Sequence, residues 1–191
     1  MGCAMLASPL IRDAKVTMSS AAFLSSFVRD VPDFPIPGIL FRDITPLLAN
    51  AAAFTKAIAA MAEPVLNLQP THVLGLESRG FIFGSALAQK LGVGFVPARK
   101  PGKLPLPTFR EGYGLEYGTD ALEIHRDAFG PGDRVLIVDD VMATGGTAAA
   151  AQRLIQATGA HPVALTVFIE LALLPGREKV EGLPVFSVLR Y

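Results

Sequence analysis

Arg134-Val-Leu-Ile-Val-Asp-Asp-Val-Met-Ala-Thr-Gly-Gly-Thr147 is the stretch whose reading decides the fold. It opens on an unbroken apolar run, Val135 to Val138, which suits a strand buried on both faces. Two adjacent carboxylates, Asp139 and Asp140, stand where that strand is expected to end. Ala143-Thr144-Gly145-Gly146-Thr147 then leads into Ala148-Ala-Ala-Ala-Gln-Arg-Leu-Ile-Gln156, a good helix sequence. A strand, turn and helix in this order gather the free N–H groups of the first helical turn around one point, and the glycines supply the positive φ that such a turn needs. The result is an anion cradle of a size for one phosphate. Each N–H bond to a charged oxygen contributes roughly 1.5 to 3 kcal/mol. The helix dipole adds about 0.3 to 1 kcal/mol, so the converging donors dominate. Two carboxylates beside a phosphate would repel it unless they hold something else. A ribose diol meets that need, because ionised Asp oxygens only accept and hydroxyls donate, and Mg²⁺ can offset the remaining charge.

Working outward, a second strand, turn and helix unit lies upstream. His72 to Glu77 predicts a strand, Ser78-Arg79-Gly80 a turn, and Phe81 to Leu91 a helix closed by Gly92. Gly94 to Arg99 predicts a further strand. Lys100-Pro-Gly-Lys103-Leu-Pro-Leu-Pro107 is too rich in proline and charge for core and should be a loop. Phe109 to Tyr117 and Leu122 to His125 alternate as a glycine-loosened hairpin. Downstream, the helix is expected to end near Gly159, with strands at Val163–Ile169 and Pro184–Leu189. Nearer the start, Ser19 to Arg29 predicts a short helix, and Phe34 to Asp43, with Pro35, Pro37 and Gly38, a stiff extended loop. Thr45 as N-cap and Pro46 at the first position open a helix to about Met61, which Pro64 bends or ends. Strands alternating with helices predict an α/β fold with a parallel sheet and ligands outside the carboxyl ends of its strands.

Composition narrows the class. With 191 residues, 51% hydrophobic and 18% charged, the chain suits one domain with a sizeable core. Formal net charge is zero, which gives no basic excess for nucleic acid. Cys3 is the one cysteine, so a reducing, cytoplasmic setting is expected. The apolar stretches Pro162–Ile169 and Leu171–Leu174 fall short of the roughly 20 residues of a membrane span. Residues 1–18 are expected to form a mobile N-terminal extension to a single domain over 19–191. No Walker P-loop, complete dinucleotide fingerprint, zinc spacing or Gly-x-Ser-x-Gly elbow occurs.

Val138 to Thr147 resembles the phosphoribosyl pyrophosphate signature of the type I phosphoribosyltransferases. Phe34-Pro-Ile-Pro-Gly-Ile-Leu-Phe-Arg-Asp-Ile44, Glu77-Ser-Arg-Gly-Phe81, Arg99-Lys-Pro-Gly-Lys-Leu-Pro105 and Leu115-Glu-Tyr-Gly118 resemble, in the same order, the adenine-specific branch of that family. The resemblance runs from about residue 20 to the C-terminus. It implies a parallel twisted sheet flanked by helices, with a small hood and a flexible active-site loop. It also implies a cytoplasmic homodimer that joins adenine to phosphoribosyl pyrophosphate with Mg²⁺, giving AMP and pyrophosphate, with no nucleic-acid or membrane partner.

By that resemblance Ala143, Thr144, Gly145, Gly146 and Thr147 bind the 5′-phosphate, and Asp139 and Asp140 the ribose hydroxyls. Arg79, Arg99, Lys100 and Lys103 hold pyrophosphate, and Leu40, Phe41 and Arg42 the base. Glu116 and Arg79 act in catalysis, with Tyr117 on the loop, and Mg²⁺ is bound mainly through substrate with Asp139 or Asp140 contributing through water. The four cations are read as having no adjacent acids, a placement that suits a visiting anion. Gly112 and Gly114 just before Glu116 depart from the family's pattern. Two alternatives remain, transfer to a different purine and a non-catalytic regulator that binds the donor.

Overall fold

The central strands form where the sequence is most continuously apolar. In the computed structural model, which describes residues 19–114 and 119–191, β3 (His72–Leu76) and β7 (Arg134–Met142) lie side by side and parallel. Glu116, Tyr117 and the N-terminal extension lie outside the described residues. β4 (Gly94–Ala98) pairs with the outer edge of β3, while β8 (His161–Glu170) and β9 (Val185–Arg190) extend the sheet beyond β7, all parallel. The order β4-β3-β7-β8-β9 reverses direction between β3 and β7. In such doubly wound sheets the crevice at that reversal, above the carboxyl ends, is where ligands bind.

Alternate side chains of β7 enter opposite core layers, as a strand's period of two requires. Leu136 and Val138 face one layer, with Phe83 and Leu87 of α4 (Gly80–Leu91) and Met61 of α3 (Ala51–Ala62). Phe83 stacks on Phe168 of β8 with ring centres 5.6 Å apart. Val135 and Ile137 face the other layer, with Leu154 and Ile155 of α5 (Gly146–Ala157). The sheet is thus fixed from both sides.

Several expectations need correction. The strand does not end at the aspartates: β7 loses its β3 partner after Val138 but stays paired to β8 through Met142. The helix from Thr45 is not continuous. Ile44 is its N-cap, α2 covers Thr45–Ala49, and Asn50 breaks the run and caps α3 by accepting from the Ala53 N–H at 2.9 Å. A 3₁₀ turn, Glu63–Leu68, follows at Pro64. The short helix α1 (Ser20–Ser25) is shorter than expected, and the next residues form β1 (Arg29–Pro32), antiparallel to β2 (Leu40–Asp43). The stretch read as a stiff loop is therefore the turn and return strand of a ribbon. Its Phe41 ring lies 5.2 Å from the Arg79 guanidinium, so the ribbon reaches over the β3–α4 turn as the expected hood. A hairpin of β5 (Thr108–Gly114) and β6 (Thr119–His125) packs against α5.

Candidate active site

The β7–α5 turn has the backbone that an anion cradle requires. Gly145 is the N-cap of α5 with φ of 77°, in the left-handed region, and no side chain caps the helix's first N–H groups. Ala143, Thr144, Gly145 and Thr147 line a cavity of about 170 Å³ that also touches Asp139 and Val141. A second, open cleft of about 400 Å³ is lined by Arg79, Lys100, Asp120, Asp139, Asp140 and Thr147, among others. Asp139, Val141 and Thr147 belong to both walls, so the two spaces are neighbours.

The acidic pair sits at the reversal point of the sheet. Asp139 Oδ1 accepts the Asp140 N–H at 2.9 Å. Helix α4 starts against it so closely that a Cβ on Gly80 would stand 2.8 Å from Asp139 Oδ1. Burial raises the Asp139 carboxyl well above the ordinary carboxylate range, and the Asp140 charge adds to the rise. Asp139 still borders both cavities, so water or a ligand there tempers that cost. Burial also raises Asp140, while Arg79 opposes the rise. Arg79 Nε lies 2.8 Å from Asp140 Oδ2, yet without hydrogen-bond alignment, so this buried oxygen has no hydrogen bond among the described residues. An acceptor left open in this way suits a hydroxyl donor or a hydrated cation.

The cations are not free of acids, contrary to the sequence reading. Arg99 Nε lies 3.1 Å from Glu77 Oε2, which also accepts the Lys100 N–H at 2.5 Å. Burial pushes Glu77 up, but the Lys100 amide and the Arg99 guanidinium outweigh it and hold the carboxyl below its ordinary value. Lys100 Nζ meets the Asp120 carboxylate, which also accepts from Tyr113 Oη at 3.1 Å. Lys103 is exposed. Buried Glu123 accepts the Gly102 N–H at 3.1 Å, and Arg99 and Glu123 exchange backbone hydrogen bonds, which fixes the basic segment to β6.

Leu40, Phe41 and Arg42 are consecutive on β2, so their side chains alternate between faces. Phe41 packs edge-on to Phe34 at 5.2 Å and faces Arg79. The Arg42 side chain is engaged elsewhere, in an ion pair with Asp30 and over the Tyr191 ring at 3.9 Å. Leu40 is exposed. The structure thus gathers Asp139, Asp140, Arg79, Arg99, Lys100 and the 143–147 turn at one end of the sheet, with Phe41 at its margin. Glu77, Tyr113, Asp120 and Glu123 are the neighbours that the sequence reading missed. Their signal in the sequence was slight: Glu77 follows β3, and Tyr113, Asp120 and Glu123 lie on the hairpin after the basic loop.

Residues 44–182 match the family described as a phosphoribosyl transferase domain. The adenine phosphoribosyltransferase of Carboxydothermus hydrogenoformans is 55% identical over 168 residues, covering 88% of this chain and 99% of that protein. The chain belongs to the adenine phosphoribosyltransferase family. Among solved members, the enzyme of Rhodothermus marinus superposes with a TM-score of 0.86 at 51% identity, covering 90% of this chain and 98% of that one. The Saccharomyces cerevisiae enzyme, solved with adenine and an imino-altritol bisphosphate, gives a TM-score of 0.85 at 43% identity over 88% and 98% of the two chains. The likeness to these solved enzymes thus extends over about nine-tenths of the chain.

Proposed function

We propose that this protein transfers the 5-phosphoribosyl group of phosphoribosyl pyrophosphate to adenine, releasing AMP and pyrophosphate. The carrying observation is the pair of neighbouring cavities divided at Asp139, one floored by the Ala143–Thr147 turn and the other lined by Arg79 and Lys100. A donor with a monophosphate at one end of a ribose and a pyrophosphate at the other spans that arrangement. In this reading Ala143 to Thr147 bind the 5′-phosphate through N–H and hydroxyl donors, and Asp139 and Asp140 accept from the ribose hydroxyls.

Adenine N9 attacks the ribose C1 carbon as the bond from C1 to the pyrophosphate oxygen breaks. Positive charge develops on the ribose and negative charge on the leaving oxygens. Arg79, Arg99, Lys100 and Lys103 stabilise the leaving group. Phe41 stacks on the base, and backbone acceptors of Leu40 to Arg42 face its amine. β2 is an edge strand among the described residues, so its outer N–H and C=O groups are open to a ligand. Glu116 takes or hydrogen-bonds the proton on the adenine imidazole, and Tyr117 helps cover it. Asp139 or Asp140 would help hold, through water, a Mg²⁺ bound chiefly by substrate oxygens, and that ion would supply neutralising charge. Both carboxylates line the cationic cleft, which supports that fit. We also infer a cytoplasmic homodimer. Supporting it are the family and the exposed apolar side chains of Phe34, Ile36, Ile39 and Leu40.

The test is a panel of purine bases assayed with the donor and Mg²⁺. AMP from adenine is expected, whereas product only from hypoxanthine or guanine, or donor binding with no turnover of any base, contradicts the reading. Glu116→Ala should lower kcat on the order of 100-fold with donor KM little changed. An equal loss in both parameters would remove Glu116 from proton handling.

A further inference from the structure

A glycine-rich turn can adopt many shapes, so something outside it must hold its N–H groups convergent. On this protein the backbone of a distant segment does so. A Cβ on Gly145 would stand 2.2 Å from the Gly176 carbonyl oxygen, and a Cβ on Gly176 would stand 2.4 Å from the Ala143 carbonyl oxygen. Two glycines 31 residues apart in sequence (176 minus 145) therefore pack main chain against main chain, and neither tolerates a side chain. The segment carrying Gly176 is tied at both ends. At one end Glu170 closes β8 opposite Met142, and the Leu171 N–H donates to the Met142 carbonyl at 2.9 Å.

At the other end Arg177 forks onto the buried Glu170 carboxylate, Nε to Oε1 and Nη2 to Oε2, both at 2.7 Å. Arg177 Nη1 also donates to the Val185 carbonyl at 3.1 Å, and Ser187 Oγ donates to Glu170 Oε2 at 2.6 Å. A bidentate pair of this kind fixes orientation as well as distance. We infer that Arg177, acting through Gly176, is a positioning residue for the 5′-phosphate turn: the Glu170–Arg177 fork presses the Gly176 backbone onto Ala143 and Gly145. Pyrophosphate, bound on the far side of Asp139, does not depend on it. This rests on the proposed division of the donor between the two cavities.

The test uses the full chain and two probes, ribose 5-phosphate for the turn and inorganic pyrophosphate for the cationic cleft, titrated by calorimetry. Arg177→Met should weaken ribose 5-phosphate binding by about tenfold or more while pyrophosphate affinity moves less than about twofold. Donor KM should rise with kcat at saturation nearly kept, and Arg177→Lys, which keeps charge but loses the fork, should fall between. Gly176→Ala keeps the Arg177 side chain but forces the Gly176 backbone off Ala143, and it carries the test if Arg177→Met does not fold. It should reproduce the loss for ribose 5-phosphate alone. Equal weakening of both probes, or of neither, in a folded variant overturns the proposal. Because neither probe involves a base, failure of the adenine reading would show separately, in the purine panel.

Discussion

Lys100 is held by the Asp120 carboxylate in the cleft where pyrophosphate is proposed to bind. An incoming anion competes with that carboxylate and is repelled by it. A part-exposed pair of this kind is worth about 0.2 to 1 kcal/mol. Asp120→Asn should therefore tighten pyrophosphate binding by up to roughly fivefold, read by calorimetric titration. Unchanged or weaker binding would mean that Asp120 orders Lys100 for the ligand instead. The residue scale also shows what a sequence conceals. Asp139 and Asp140 were legible because two acids following a buried apolar run need a partner. The engagement of Lys100 was not, because Asp120 comes from a hairpin strand 20 residues further on (120 minus 100) and no local pattern reports that register. The same holds for Arg99 and Glu77, which meet only because β3 and β4 end side by side.

Elements were legible where periodicity and a local signal agree. The β3–α4 and β7–α5 units follow from apolar strands that run into glycine turns and helix formers, and both are present in the expected order, although β7 runs on to Met142. Three departures have local or neighbouring causes. Asn50 can cap a new helix by accepting from the Ala53 N–H, so the alanine-rich run is two helices that meet at an extended residue. The ribbon of β1 and β2 depends on pairing across a proline-rich turn, where Asp33 accepts the Gly38 N–H at 2.8 Å. Its prolines mark the turn and the end of β1, and were read as leaving a stiff extended loop. β7 outlasts its apolar run because β8 continues beside it to Glu170. Helix and loop predictions from composition therefore fail where a partner strand, absent from the local window, supplies the hydrogen bonds.

For the molecule as a whole, alternation of strands and helices made the parallel α/β class legible, but the strand order was not, since no local pattern says on which side of β3 the chain returns. That order brings the carboxylates and cations together at one rim, and it also sets the response to acid. Hydrogen bonds from Arg177 and Ser187 bring the Glu170 carboxyl down to about 2 from an ordinary 4.5. A depressed folded-state value stabilises the fold above the ordinary value, and that contribution is lost as pH falls from about 4.5 to about 2. Asp43, Asp133 and Glu77, also lowered, act in the same direction. Asp139 and Asp140 act in the opposite one, since protonation relieves their burial. Glu170→Gln should lose roughly 2 kcal/mol at pH 7, a figure discounted for its half-exposed partners Arg177 and Arg190, the latter with Nε 3.2 Å from Glu170 Oε2. Urea titrations should show the gap to the unsubstituted protein closing as pH approaches 2, and a gap independent of pH would assign the loss to packing. The shared wall at Asp139, Val141 and Thr147 bears on inhibitor chemistry. Two weak fragments, one seated in each cavity, could be joined by a short linker bent over that wall. The second would then engage at the high local concentration that tethering provides, and a straight rigid spacer would forfeit it.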